Sequence, residues 1–183
     1  MLGKTLIIFI IMTIQTQTEK LINTKVPMKK PLMVYNNPGN IEAGQNFAGE
    51  VGSYASGRFA EFDSPEMGMR ALAMDLSSKI NDYDGDIMKM IEKYAPNNEN
   101  KTIKYSNFIK EQLGKDKVTF QDMPELMSAV IKFENTDRVK DYYLGDSKKM
   151  ETALALAFNQ DGSKRQFKSG TTFEQAKKLA GLN

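Results

Sequence analysis

The chain has 183 residues, with 25 Lys and Arg against 23 Asp and Glu, and it contains no Cys, His or Trp. A net charge of +2 does not indicate a nucleic-acid partner, so none is predicted. Without Cys and His, Ser-His and Cys-His nucleophiles and the usual zinc sites are excluded. Carboxylates remain, and glycoside cleavage is the hydrolytic chemistry that they carry out alone. No cofactor is predicted.

An apolar run from Thr5 to Ile14 follows Lys4. It has about half of the roughly 20 residues that a membrane-spanning helix needs. Three interpretations stay open: a secretory signal, an uncleaved arm that docks on the inner membrane or on a partner through residues 1–20, and a buried strand. Residues 15–30 are polar and are typical of a linker. We therefore expect residues 1–30 to precede one domain formed by residues 31–183.

The predicted elements of this domain are one small glycine-rich β region and several short helices. The β region lies between Ile41 and Phe62. Ser64 then begins a helix that runs to Ile80, because its hydroxyl can cap a free amide and Pro65 fits the first turn. Further helices are predicted at 86–95, 102–113, 123–134, 150–158 and, after a capping box at 171–174, up to Gly181. A loop at 97–100 and a polar loop or hairpin at 159–170 separate them. The fold class is mainly α (α+β).

Helix geometry makes Glu134 the best candidate for a catalytic residue. Leu126 and Val130 lie at positions i and i+4 of the fourth predicted helix, and Glu134 continues the same face. Desolvation there would raise the pKa of the carboxyl, as a general acid requires. The alternative is a solvated Glu at a fraying helix end, or one that is paired with Lys132 or Arg138. Spacing alone favours this alternative.

The segment from Tyr35 to Ile80 has a more specific pattern. An Asn-Asn-Pro-Gly-Asn-Ile turn at 36–41 leads into a glycine-studded loop, an aromatic strand at 58–62 and the Ser-Pro helix start. This order resembles the core of lysozyme-like glucosaminidases and lytic transglycosylases, over roughly residues 35–139. In the glucosaminidase and goose-type relatives the catalytic helix lies upstream of this turn, whereas Glu134 lies downstream, so the chain resembles a circularly permuted version. The turn motif is also similar to that of small phage virion and lysis proteins.

The resemblance implies cleavage of peptidoglycan glycan strands between N-acetylmuramic acid and N-acetylglucosamine. Glu134 would be the acid, and Glu50, on the β lobe, would assist it. Glu42 and Glu61 compete with Glu50 for that role. If no second carboxylate faces Glu134, a transglycosylase route with a single acid remains. The geometric condition for either route is a Glu134 carboxyl that faces the loops of residues 36–50.

Amide and aromatic side chains of the same region are candidates for binding the sugar. They are Asn36, Asn37, Asn40, Tyr35 and Tyr54. The asparagines could bind N-acetyl groups or serve only the backbone of the turn. The tyrosines could stack on sugar faces, as could Phe47 and Phe59, for which core packing is favoured.

Two spacings are similar to those of calcium-binding loops, one at 82–86 and one at 159–163. Neither has Gly at the sixth loop position, and Lys93 and Gly170 occupy the twelfth position, where Glu is required. No metal site is predicted. The implied partners are peptidoglycan glycan strands and other virion proteins or the inner membrane, and the implied location is a phage virion or the bacterial periplasm or cell envelope. The competing hypothesis is an inactive structural virion protein or a membrane-anchored binding protein with the same fold.

Overall fold

The computed structural model describes residues 32–96 and 99–182, so the interpretations of residues 1–30 lie outside the described part. This part is mainly helical and has a two-stranded sheet, which confirms the predicted fold class. None of the helices that it contains is both long enough and apolar enough to cross a bilayer.

The small sheet lies within the predicted β region. A 3₁₀ helix, Leu32–Tyr35, precedes the asparagine-rich turn, and strands β1 (Glu50–Tyr54) and β2 (Phe59–Phe62) then pair in antiparallel fashion. Glu50 lies opposite Phe62 and Tyr54 lies opposite Phe59, with a bulge between Glu50 and Gly52. Glu50 and Tyr54 therefore mark opposite ends of β1.

Seven α-helices follow in the described residues: α1 (Pro65–Asp82), α2 (Ile87–Tyr94), α3 (Glu99–Leu113), α4 (Met123–Glu134), α5 (Asp137–Leu144), α6 (Ser147–Ala157) and α7 (Phe173–Ala180). The predicted start of α1 is confirmed, because the Ser64 hydroxyl accepts a hydrogen bond from the Met67 amide at 3.1 Å. The Asp86 carboxylate caps α2 in the same way through the Lys89 amide, at 3.1 Å.

Three helix predictions were wrong in their bounds or missed. Helix α3 begins at Glu99, inside the predicted loop, and α6 begins at Ser147, three residues before the predicted start. Helix α5 was not predicted at all. The last capping box is formed by Thr172 and Gln175, one residue beyond the predicted one. The order of elements nevertheless agrees with the sequence pattern.

Helix α1 is the centre of the core. It packs against α6, α4 and β2. Its fully buried side chains include Met67, Met69, Leu72 and Leu76. Helix α4 contributes Leu126, Val130 and Ile131, and α3 packs against α4. This arrangement places the C-terminal end of α4 beside the asparagine-rich turn.

A buried arginine ties α1 to the end of α6. Arg70 is 2% exposed, and its guanidinium donates to the carbonyl oxygens of Leu156 at 3.0 Å and Arg165 at 2.8 Å. Burial lowers the pKa of Arg70 to about 10, so the side chain stays charged at neutral pH. The carbonyl oxygens at a helix C-terminus carry partial negative charge, and they stabilise a cation there without a carboxylate.

We expect Arg70→Met to lower the free energy of unfolding by about 2–3 kcal/mol, because two buried carbonyl oxygens lose a charged donor. Urea denaturation followed by circular dichroism measures this. Arg138→Met is the matched control, because Arg138 is exposed on α5. Equal losses in the two variants would contradict a structural role for Arg70.

Candidate active site

Glu134 is the last residue of α4, and its carboxyl faces the asparagine-rich turn. Its Oε2 accepts a hydrogen bond from Asn40 Nδ2 at 2.9 Å. The next residue, Asn135, donates from Nδ2 to the carbonyl oxygens of Pro38 at 2.7 Å and Ile131 at 2.9 Å. Two consecutive residues thus attach the end of the helix to the turn. The carboxyl faces the loops at Asn40.

The environment of Glu134 favours its protonated form. Burial raises the pKa of the carboxyl, and the hydrogen bond from Asn40 and the interaction with Tyr105 oppose that shift without cancelling it. Within residues 32–96 and 99–182, Glu134 forms no ion pair and no other carboxylate contributes to this pKa shift. Lys132 Nζ donates instead to Gln112 Oε1 at 3.4 Å. Pairing with Lys132 or Arg138 is therefore not observed.

Two tyrosines that the sequence did not predict flank the carboxyl, the partly buried Tyr94 and the buried Tyr105. The hydroxyl of Tyr94, the last residue of α2, donates to the carbonyl oxygen of Gly39. Tyr105 of α3 packs edge-on against Tyr94, with ring centroids 6.2 Å apart, and its hydroxyl faces Glu134 without a hydrogen bond of regular geometry. Phe133 stacks on Tyr105 at 3.8 Å. Aromatic rings thus exclude water from one side of the carboxyl.

The two tyrosines that were predicted to bind the sugar, Tyr35 and Tyr54, stack on each other beside Asn40. The Tyr54 hydroxyl donates to Asn40 Oδ1 at 3.2 Å, and its ring stacks on Tyr35 with centroids 4.1 Å apart. Burial, helped by Tyr35 and Glu134, raises the pKa of Tyr54 to about 12, so the hydroxyl stays protonated at neutral pH. Of the predicted site residues, the structure brings Tyr35, Tyr54, Asn40 and Glu134 together.

The side chains of Asn36 and Asn37 hydrogen-bond to the backbone and so stabilise the turn. Asn37 is 5% exposed and donates to the carbonyl oxygens of Ile41 and Ala60, both at 2.9 Å, while its Oδ1 accepts from the Ile41 amide. Asn36 has a φ of 51° and donates to the carbonyl oxygen of Phe62 at 2.9 Å. Asn37 therefore has no polar side-chain atom left for a sugar, since its function is to join the turn to β2.

Among the described residues, no hydrogen bond joins Glu50 to Glu134, and Glu50 does not contribute to the pKa shift of the Glu134 carboxyl. The Oε1 atom of Glu50 accepts a hydrogen bond from the Gly44 amide at 2.7 Å and so closes the loop that precedes β1. Glu50 lies four positions before Tyr54 on β1, which corresponds to about 13 Å of backbone. Glu42 is 65% exposed and lies 3.9 Å from the Arg58 guanidinium. Within residues 32–96 and 99–182, neither side chain hydrogen-bonds to the Glu134 carboxyl.

A polar cavity of about 370 Å³ adjoins the Asn40 turn. Its wall includes Asn40, Glu42, Tyr94 and an ion pair of low exposure, in which Lys79 Nζ lies 2.5 Å from Asp75 Oδ1. A larger, mostly apolar cavity of about 640 Å³ lies at the opposite end of α4, beside Met123. It is about 16 Å from Glu134 along the helix. The smaller cavity is lined by Asn40, the residue that hydrogen-bonds to Glu134, although Glu134 itself is not part of its wall.

The residues of the two calcium-like spacings form turns and helix caps. Asp84 pairs with Lys117 at 2.5 Å, Asp86 caps α2, and Asp161 accepts hydrogen bonds from Ser163. In the described part of the chain, no group of three or more carboxylates is arranged to hold a metal ion.

No protein-family model matches the chain, and no curated protein matches it significantly.

Proposed function

We propose that this protein cleaves the glycan strands of peptidoglycan, with Glu134 as the general acid. The observation that carries the proposal is the environment of this carboxyl at the end of α4. The carboxyl is partly desolvated, it forms no ion pair in the described residues, and it accepts a hydrogen bond from Asn40. A general acid needs such a raised pKa, because it must hold its proton near neutral pH. The resemblance to lysozyme-like enzymes supplies the substrate class.

The favoured reaction is transglycosylation. Glu134 donates its proton to the glycosidic oxygen, and the bond from that oxygen to C1 of the N-acetylmuramic acid unit breaks. The resulting carboxylate then takes the proton of the C6 hydroxyl of the same sugar as its oxygen bonds to C1, so no water is consumed. Hydrolysis by the usual routes requires a second carboxylate within about 10 Å of the acid. Glu50 accepts a hydrogen bond from the Gly44 amide and does not contribute to the pKa shift of Glu134, which favours the route with a single acid.

The tyrosines and the polar cavity support the same proposal. Tyr35 and Tyr54 form a stacked aromatic surface next to Asn40, and a sugar ring can extend such a stack. The cavity at Asn40 and Tyr94 has room for a polar group of the glycan. Peptidoglycan is accessible in the bacterial cell envelope, and an enzyme of this kind would act there or as part of a phage virion.

The test is incubation of the full chain with purified peptidoglycan sacculi, with the released products identified by mass spectrometry. We expect fragments that end in a 1,6-anhydro ring. Reducing ends in their place would mean that the protein is a hydrolase and that a second group activates water. If the folded chain binds sacculi but releases nothing, the proposal fails and the non-catalytic binding protein takes its place.

A further inference from the structure

The polar cavity of about 370 Å³ has four charged residues in its wall, Glu42, Asp75, Lys79 and Lys93. Asp75 and Lys79 pair with each other, with 2.5 Å between Oδ1 and Nζ, and both side chains have low exposure. The Glu42 carboxylate lies 3.9 Å from the guanidinium of Arg58, which is not part of the wall. Each acidic side chain of the wall therefore has a cation beside it.

Lys93 is the charge that remains. It is the next-to-last residue of α2 and it is exposed. Within residues 32–96 and 99–182, its ammonium group forms no ion pair. An ammonium group has three N–H donors and no acceptor, so its natural ligand is an anion. The cavity thus has one positive charge without an acidic partner in the described part of the chain.

The cavity is next to the candidate acid, although Glu134 is not in its wall. Asn40 belongs to the wall and donates to Glu134 Oε2 at 2.9 Å. Tyr94, which follows Lys93, is also in the wall, and its hydroxyl donates to the carbonyl oxygen of Gly39. A sugar with its glycosidic bond at Glu134 can therefore place a substituent in this cavity.

The N-acetylmuramic acid unit has a substituent with the matching charge. Its lactyl group at O3 ends in a carboxyl, which is either free or joined by an amide bond to a stem peptide that carries carboxylates of its own. A polymer of N-acetylglucosamine alone has no such group. We propose that this cavity binds a carboxylate of the N-acetylmuramic acid unit and that Lys93 pairs with it. The inference rests on the proposed function, and it makes Lys93 the residue that distinguishes peptidoglycan from a neutral glycan.

The test measures dissociation constants by NMR titration of the full chain carrying Glu134→Gln, so that no ligand is cleaved. The first probe is the neutral tetrasaccharide of N-acetylglucosamine. The second alternates N-acetylglucosamine with N-acetylmuramic acid and has free lactyl carboxyls, and the third carries an L-Ala–D-Glu dipeptide on each lactyl group. We expect Lys93→Gln to weaken binding of a carboxylate probe by about threefold to fivefold, as for one exposed ion pair, and to leave the neutral probe unaffected.

The two carboxylate probes identify the source of the charge. An effect on the second probe alone assigns the lactyl carboxylate, an effect on the third alone assigns the stem peptide, and an effect on both means that the cavity accepts either. The effect should shrink as salt is added, because salt screens exposed charges.

Lys89→Gln is the matched control, since Lys89 is exposed one turn earlier on α2 and is not in the wall. It should change none of the three dissociation constants. The proposal is overturned if neither carboxylate probe binds, if Lys93→Gln weakens all three probes equally or none of them, or if Lys89→Gln causes the same loss.

The binding test and the cleavage test fail separately. If the chain cuts sacculi but Lys93→Gln does not change the binding of either carboxylate probe, the inference about Lys93 fails and the proposed function stands. If carboxylate binding depends on Lys93 but sacculi are not cut, the proposed catalysis fails and the cavity remains a binding site for the carboxylate.

Discussion

Replacing Glu134 with Gln is expected to reduce glycan cleavage strongly and to make the folded protein more stable at neutral pH. Gln keeps the shape of the side chain and can still accept a hydrogen bond from Asn40, but it has no carboxylic proton to donate. The loss of a general acid reduces turnover by roughly 10²–10⁴-fold. Because burial disfavours the charged form of Glu134, the neutral amide removes a cost that the wild-type protein carries.

The stability gain depends on pH in a defined direction. Below the ordinary pKa of Glu, about 4.3, the carboxyl is neutral in the folded and the unfolded chain, so the substitution has little effect. As the pH rises from there through the raised pKa of the folded state, the unfolded chain loses its proton first and the wild-type protein loses stability. Above that pKa the variant keeps its full advantage, roughly 1.4 kcal/mol for each unit by which the pKa is raised.

Thermal and urea unfolding of the two proteins at several pH values measure this difference, and release of soluble fragments from sacculi measures turnover. Glu125→Gln is the matched control, since Glu125 is exposed in the first turn of the same helix. It should change neither quantity appreciably. If Glu134→Gln were less stable than the wild type at neutral pH, the carboxylate would be a structural acceptor, and the argument for an acid would fail.

Local sequence signals were enough to predict much of this fold. The Ser-Pro start of α1 and the Asp86 cap of α2 follow from side chains that satisfy free amides a few residues away. The end of α4 at Glu134 follows from an apolar face that stops there. Helix α5 gave no such signal, because charged residues dominate it and only Val139 and Tyr143 are buried. Helix α5 is stabilised by packing against α4 and α6. A short stretch of sequence does not contain these tertiary contacts.

The site was only partly predictable for the same reason. The turn motif and the helix end pointed to Asn40 and Glu134, but their hydrogen bond joins residues 94 positions apart. The resemblance implied Glu50 as the assisting acid and Tyr54 as a sugar-binding residue, and of these two residues of β1 it is Tyr54 that hydrogen-bonds to Asn40. Tyr94 and Tyr105 were missed, although a Tyr at a buried helix position needs a partner for its hydroxyl and so carries a weak signal.

The second large effect is expected at Gly68, in the first turn of α1. Replacement of Gly by Ala in a helix ordinarily stabilises a protein by up to about 1 kcal/mol. Here the added Cβ would lie 1.6 Å from the carbonyl oxygen of Asn36 and 2.8 Å from its carbonyl carbon. Both are backbone atoms of the turn, and the Asn36 side chain is also bonded to β2. The clash can be relieved only if the turn moves away from α1.

We therefore expect Gly68→Ala to lower the free energy of unfolding by about 3 kcal/mol, at the upper end of the cost of an overpacked core. Gly52→Ala is the control, because its Cβ would meet the Glu61 carboxylate at an ordinary 3.4 Å. Movement of the turn would also carry Asn40 away from Glu134, so the titration midpoint of the carboxyl should change in any Gly68→Ala protein that remains folded. A variant as stable as the wild type, with an unchanged midpoint, would show that the packing of α1 does not hold the turn at the acid.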